Sequence, residues 1–579
     1  MKIQLNWAIL FLILAFTACD SDTQSKEKCG DGKAVFPENC DKYDFNGETC
    51  ETQGYYGGNI KCNSDCTFNF STCSDYGQCG DNIIQTNFGE NCDGNQLGDV
   101  TCSQLGHYGG NLSCNNNCQF DESQCQGYCG DNIFQSNYEE ECDGQIPEGN
   151  SCFNSGYFWG EVSCDESCNL NYDLCYYSYQ YGDSEEEHAT GIAVDSIGNI
   201  YVTGYTNGYL DGNTNNDNSF DIFLSKFTAT GTKEWTITTG SSEYDSPLDI
   251  ITDHEDNIYL AGITWGDLGE NIQKGFGDGF LAQISSTGSI NWLLTMGSTN
   301  FDSANSIILS QDGNILVTGY ATGEINGLTP EGKQDTFVAK YSLAGEHLWT
   351  RLFGTEENDV AVSIHEDSMG NILVAGTTDG TFINNNNLGK KDIFLLKLTE
   401  DGSFVEVNQY GSSENDSPAG MVKDDEDNLY LAGDTTGSLG DENQLGWGDG
   451  FIMKINPAGL EAWVHHIGSN LIDNVFDLQI NPFSGNLVVT GITSGEIGQY
   501  SNQGEKDIFI AVFNNSGTRL YSKMYGTSLK DRGTTAIVLE DESLIIGGAS
   551  EGNFENQLNQ GNFDILLIRE HLDQLNSSK

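Results

Sequence analysis

The stretch that decides the fold is Gly297–Trp349, GSTNFDSANSIILSQDGNILVTGYATGEINGLTPEGKQDTFVAKYSLAGEHLW, because the chain writes it seven times. Its opening glycine recurs as Gly182, Gly240, Gly297, Gly354, Gly411, Gly468 and Gly526, at steps of 57 or 58 residues. A second glycine keeps the same beat at Gly204, Gly262, Gly319, Gly376, Gly433, Gly491 and Gly548. So does an aspartate before an apolar run: Asp221, Asp278, Asp335, Asp392, Asp449, Asp507 and Asp564. A period of this length is the mark of a stacked or ring-shaped repeat architecture.

Each copy reads as four short strands. In the quoted copy the first is Ser306–Leu309, a tight Asp/Gly/Asn turn leads to the second at Asn314–Thr318, and a longer polar loop precedes the third at Thr336–Tyr341. A glycine turn gives the fourth, opened in four copies by Trp235, Trp292, Trp349 or Trp463. Four strands per repeat is one propeller blade, and seven blades close a ring. An open solenoid would instead need polar capping repeats at its ends. The expected fold class is therefore all-β: a seven-bladed β-propeller over 176–579, preceded by three small disulfide-rich modules. The last copy stops after its third strand, Asp564–Ile568, while Tyr176–Tyr181 stands before Gly182 as Trp349–Phe353 stand before Gly354. This segment is expected to complete the seventh blade and remove both free sheet edges.

The GNILVTGYATG, QDTFVAKY and GEHLW segments and their counterparts resemble the bacterial beta-propeller repeats called SBBP, over about 400 residues. The resemblance implies a secreted or surface propeller; that family shares no one reaction.

Upstream the composition changes. Of 19 cysteines, 18 lie between Cys29 and Cys175 in three sets of six. The sets are Cys29, Cys40, Cys50, Cys62, Cys66, Cys73; Cys79, Cys92, Cys102, Cys114, Cys118, Cys125; and Cys129, Cys142, Cys152, Cys164, Cys168, Cys175. They define modules 29–73, 79–125 and 129–175, too small for a large core and so dependent on cross-links. Six cysteines allow 15 pairings, so connectivity stays open. The close pair is Cys-x3-Cys and the only histidine in the region is His107, which favours disulfides over zinc. GHYGGNLSCNNNCQFDESQC beside GYYGGNIKCNSDCTFNFSTC resembles the cysteine-rich disulfide repeats of myxobacterial surface proteins, which implies a stalk or interaction module. Acidic residues flank each second cysteine (Glu38 and Asp41, Glu90 and Asp93, Glu140 and Asp143); such residues cap turns more often than they bind calcium.

The first 18 residues, a lysine and an apolar core ending in Thr17-Ala18, read as a signal peptide. Cys19 directly after them resembles a lipobox, which implies lipidation at Cys19 and a tether over 19–28; an ordinary secretory signal is the alternative. Asp20 resembles an inner-membrane retention signal of enteric bacteria. With 24 Lys and Arg against 86 Asp and Glu, the net charge of −62 repels phosphate backbones, so nucleic acid is not an expected partner. The membrane is expected to be reached only through the anchor. Seventy glycines and seven prolines suit many tight turns.

Chemistry is sparse. The acidic series Glu187, Asp245, Asp302, Asp359, Asp416, Asp473 and Asp531 is present in every copy and so is expected to serve loop hydrogen bonds, as is the Asp221–Asp564 series. Function should break the symmetry. Trp265 and Phe276 in the second copy and Trp447 in the fifth stand on loops before third strands, and such aromatics stack on sugars or anchor proteins when they are not packing locally. His465-His466 reads as edge strand and not as a metal site. H-E-x-x-H and phosphate-loop motifs are missing from the sequence. No cofactor is expected. The chain is read as a non-catalytic, lipid-anchored protein of the outer membrane or cell surface, whose propeller binds a protein or glycan in adhesion or envelope organisation. A propeller enzyme acting on extracellular polymer, or a structural spacer, are the alternatives.

Overall fold

The computed structural model describes residues 29–213, 219–440, 442–555 and 557–572. The expected signal peptide, Cys19 and the tether lie outside the described residues. Among these residues no helix is long and apolar enough to cross a membrane.

Seven four-stranded antiparallel sheets follow one another along the chain, one per repeat. In the third, the strands are Asp302–Leu309, Ile315–Ala321, Asp335–Tyr341 and His347–Phe353. The second and third strands are covered on both faces by neighbouring blades and are near-continuous apolar runs; the fourth is half exposed and mixes polar residues in. Every first strand carries a bulge at the same place, between Ala304 and Ser306 here, which turns its innermost residues toward the axis. In blades one, two, four and five the turn into the second strand is built by an aspartate. Asp253 Oδ1 accepts the amides of Glu255 and Asn257, both at 2.9 Å, and its Oδ2 accepts Asn257 Nδ2 and the Tyr259 hydroxyl.

The ring closes on Ser178–Tyr181, the outer strand of the seventh sheet, with Ser178 opposite Ile568 and Tyr181 opposite Ile565. Side chains lock the seam: Gln180 Nε2 donates to Gly552 O at 2.9 Å, Phe554 N donates to Gln180 Oε1 at 2.9 Å, and Gln557 Nε2 donates to Ser178 O at 3.1 Å. The fourth-strand tryptophans pack between blades. A Cβ on Gly345 would lie 3.1 Å from the Trp292 ring and one on Gly402 2.9 Å from Trp349, each glycine being in the turn of the next blade.

All 18 upstream cysteines are paired, first with fifth, second with fourth, third with sixth: Cys29–Cys66, Cys40–Cys62, Cys50–Cys73 and the same in each later set. Each bridge closes a loop of 22 to 39 residues, worth about 3–4 kcal/mol by chain entropy. The glycine before the fourth cysteine (Gly58, Gly110, Gly160) has positive φ and leaves no room for a side chain against the opposite strand.

The chain forms two compact units whose limits do not follow the cysteine sets: residues 148–163 and 171–175 group with the propeller, the rest of the modules apart from it. The reason is apolar. Phe153 and Phe158 belong to a core cluster with Tyr181, Ile200, Phe223 and Phe227. Phe153 also covers Gly231 in the turn of blade one, the place a fourth-strand tryptophan fills elsewhere in the ring. Arg569 fastens the same segment: it is buried, donates to Phe153 O, Tyr157 O and Asp541, and its guanidinium carbon lies 3.8 Å from the centre of the Phe153 ring.

Candidate functional site

The two acidic series stand side by side at each blade junction. In the first-strand series Asp416 Oδ2 accepts Ser412 N at 2.6 Å and Ser412 Oγ at 2.9 Å; Asp302, Asp359, Asp473 and Asp531 repeat this with their own Ser or Thr. In the third-strand series Asp392 Oδ2 accepts Leu388 N at 2.8 Å and Asp449 Oδ2 accepts Leu445 N at 2.6 Å. The opening glycine lies between the two. A Cβ on Gly411 would sit 2.6 Å from Asp392 Oδ1 and 3.2 Å from Asp416 Oδ2. These carboxyls are loop clamps. Burial, and then the neighbouring carboxylate of Asp183, pushes Glu187 up to about 8; burial, and then Asp531, pushes Asp507 up to about 6. His466, in the outer strand of blade five, places Nδ1 2.9 Å from Asp449 Oδ2, so it joins this network.

The acidic residues of the modules are engaged in turns as well. Asp93 accepts Gly80 N at 2.5 Å and Ile83 N at 3.2 Å; Glu90 accepts Gln85 N at 2.6 Å. Groups such as Cys79, Glu90 and Cys118 gather within metal-binding distance, but both thiols are consumed in one disulfide.

A central channel of about 590 Å³ is lined by the bulged first strands. It holds Asp249, Asp477 and His365. Asp249 Oδ2 accepts Ile307 N at 2.9 Å and Ser306 Oγ at 3.0 Å, and Asp477 Oδ2 accepts Ala536 N at 2.7 Å, so both carboxylates tie one blade to the next. Burial pushes Asp249 up to about 6 and His365 down to about 4.

The symmetry breaks elsewhere. Trp265 and Phe276, 45% and 68% exposed, both pack against Phe301 of the next blade, at ring-centre distances of 6.2 and 5.8 Å. Trp265 also meets Tyr244 at 5.2 Å, Tyr244 meets Tyr205 and Phe220 at 5.9 Å each, and His188 lies 5.0 Å from Tyr205 and 4.6 Å from Phe563. The guanidinium of Arg532 caps Phe563 at 5.3 Å. The result is one unbroken aromatic arc through blades seven, one, two and three. Its members precede or follow the clamp residues, and repeat-equivalent positions fall on one face of a closed ring. At those positions blade four carries Asn358 and Lys391, blade five Asn415, blade six Ile472 and Lys506, and the first strand of blade seven Lys530, with ion pairs such as Lys390–Glu414. Burial, and then the Arg532 charge, hold His188 down at about 4, so it is a neutral ring at pH 7; burial holds the Tyr205 hydroxyl up at about 12. The arc thus offers flat apolar ring faces suited to stacking.

Trp447 is elsewhere. It is 81% exposed on blade five, no ring packs on it among the described residues, and it shares no contact with Trp265 or Phe276 there. Of the three aromatics read from the sequence, two belong to one surface. The arc's other members, Tyr205, Phe220, Tyr244, Phe301 and Phe563, were not singled out. Their signal lies in comparing the residue before each clamp aspartate across the seven copies.

Residues 180–211 match the family model for SBBP, a beta-propeller repeat. A WD repeat-containing protein of Acanthamoeba polyphaga mimivirus is 21% identical over 277 residues, 42% of this chain and 17% of that protein. The regulatory protein FlaEY of Caulobacter vibrioides is 25% identical over 191 residues, 30% of this chain and 20% of that protein. The chain therefore matches a fifth or less of the length of these relatives. Among solved structures, the beta-propeller domain of the Trilobed protease from Pyrococcus furiosus aligns with a TM-score of 0.36 at 8% identity, covering 67% of this chain and 97% of that one. The chain thus carries a match to the SBBP beta-propeller repeat at 180–211 within a propeller of seven four-stranded sheets, preceded by disulfide-linked modules.

Proposed function

We propose that the chain is a non-catalytic protein of the cell envelope, held by a lipid on Cys19, whose propeller binds a protein or glycan through the aromatic arc. The observation that carries this reading is the break in seven-fold symmetry. Clamp carboxylates and glycines serve all blades alike, whereas the rings that contact one another from junction to junction run from blade seven to blade three. Stacked, half-exposed rings give a binding surface large area at low entropic cost. The test compares binding of the purified chain to a panel of envelope polysaccharides and extracted surface proteins. Replacing Trp265 and Phe276 together with alanine should lower affinity at least about tenfold, as expected for central aromatic anchors, while Trp447→Ala leaves it within twofold by the same reasoning. Equal loss in both variants, or none in either, refutes the assignment.

A further inference from the structure

Modules two and three each receive an aromatic ring from the module before. Tyr56 stacks on Phe88 at 5.2 Å and donates its hydroxyl to Glu90 Oε1 at 2.6 Å. Tyr108 does the same on Tyr138 at 4.8 Å and Glu140 at 2.6 Å. Four and two residues before the second cysteine of module one, the equivalents of these receivers are Phe36 and Glu38. Phe36 is 94% exposed.

Other features gather at the same place. Asp44 Oδ2 accepts Ala34 N at 3.1 Å and Asp41 Oδ2 accepts Gly32 N at 2.8 Å, which holds the loop carrying Tyr43 beside the segment leading to Phe36. Tyr43 is 92% exposed, and Val35 is exposed with it. Lys42-Tyr43 stand where the sister modules have Gly94-Asn95 and Gly144-Gln145, so these two residues belong to module one alone. Lys33 and Lys42 are exposed on the two loops that carry the rings, as is Asp31. From residue 62 to residue 225 there is no other Lys or Arg, so cationic groups in the first two hundred residues are confined to this end. Exposed rings bordered by lysines are the composition of a membrane–water interface, where rings sit at the headgroups and ammonium groups meet phosphate.

We infer that this face of module one, Phe36 and Tyr43 flanked by Lys33 and Lys42, docks on the headgroup layer of an anionic bilayer. Its placement rests on the lipid-anchor reading: Cys19 precedes Cys29 by ten residues, at most about 35 Å of extended chain. A single acyl chain binds membranes reversibly, and a second apolar and basic contact is what makes attachment firm. The two attachments together would fix the base of the stalk against the membrane instead of leaving it on a swivel.

The test uses the whole chain with Cys19→Ala, its disulfides intact, floated with vesicles of phosphatidylcholine and phosphatidylglycerol at about 2:1. The chain should float with these vesicles, and Phe36→Ala/Tyr43→Ala should lower the partition coefficient about tenfold. Lys33→Glu/Lys42→Glu should abolish the gain over pure phosphatidylcholine. A chain that does not float, or a double alanine variant that floats as well as its parent, overturns the proposal. So does a parent that sediments as a dimer and an alanine variant that sediments as a monomer with flotation unchanged, since the face then joins two copies. The mass of the N-terminal peptide from native cells reports acylation separately; a bare Cys19 would refute the anchor and leave the flotation result standing.

Discussion

Replacing Arg569 by methionine tests how the leading segment is joined to the ring. The side chain is buried, and it donates to Phe153 O, to Tyr157 O at 3.3 Å, to Ser543 Oγ at 3.0 Å and to Asp541. Methionine fills much of the volume but leaves the two carbonyls and the hydroxyl without this donor. Each unsatisfied buried group costs about 1–3 kcal/mol, and loss of a buried ionic partner about 3–5 kcal/mol in total. Asp541 is half exposed and can turn to water, so the lower part of that range, about 3–4 kcal/mol, is the better expectation. For a unit on the order of 400 residues, each kcal/mol moves the melting temperature by about 1 °C. Differential scanning calorimetry should therefore show a loss of about 3–4 °C. Hydrogen exchange should show faster opening at 153–158 together with the last strand. Arg569→Lys should recover only part, since one ammonium cannot span all four acceptors. A shift below about 1 °C, or opening of 153–158 without the last strand, would refute the argument that this residue joins them.

Gly411→Ala should destabilise by about 1–3 kcal/mol in denaturant melts, because the new Cβ would lie 2.6 Å from Asp392 Oδ1, on a carboxylate whose other oxygen is held by Leu388 N; a neutral result would mean that the junction is looser than described. Stability should fall as pH rises from about 6.5 to 8.5, since Glu187 is pushed up to about 8, so the folded chain holds a proton there that the unfolded chain releases; below that window the raised Asp507 is opposed by His188 and His365, both held down at about 4. The Glu187 contribution is complete below about pH 4.5 and lost as pH rises through about 8; Glu187→Gln should flatten the upper part of the curve in thermal melts at stepped pH. Removing 176–181 should lower the melting temperature and raise aggregation, because the strand Leu566–Ile568 then becomes a free edge; an unchanged melt would contradict closure by this segment.

Strict spacing made the ring readable. A glycine wedged between two carboxylates and an aspartate clamping a loop tolerate no drift, so both recur in phase through seven copies. The same regularity hid the surface. Phe220, Tyr244, Phe301 and Phe563 each stand directly before a clamp aspartate, and attention to the repeated acid passes over its varying neighbour. Trp265 and Phe276 were legible because they interrupt a polar loop; that Trp447 stands apart depends on blade geometry, which no local pattern encodes. Cysteine spacing announced three modules but not the pairing, which is fixed by the chain's path in three dimensions. Nor did spacing separate the third module from the second, since both follow the same steps. The difference lay in GYFWG against GHYGG: Phe158 stands where Tyr56 and Tyr108 carry hydroxyls, and its receiver is the apolar group Tyr179 and Phe227 and no longer a glutamate.

The central claim, that the arc is the binding surface, is tested most directly by hydroxyl-radical footprinting of the whole chain with and without native envelope extract. Protection is expected at Trp265, Phe276 and Phe301, with Trp447 labelled equally in both samples. Protection confined to blades four to six, or to Trp447, would contradict it.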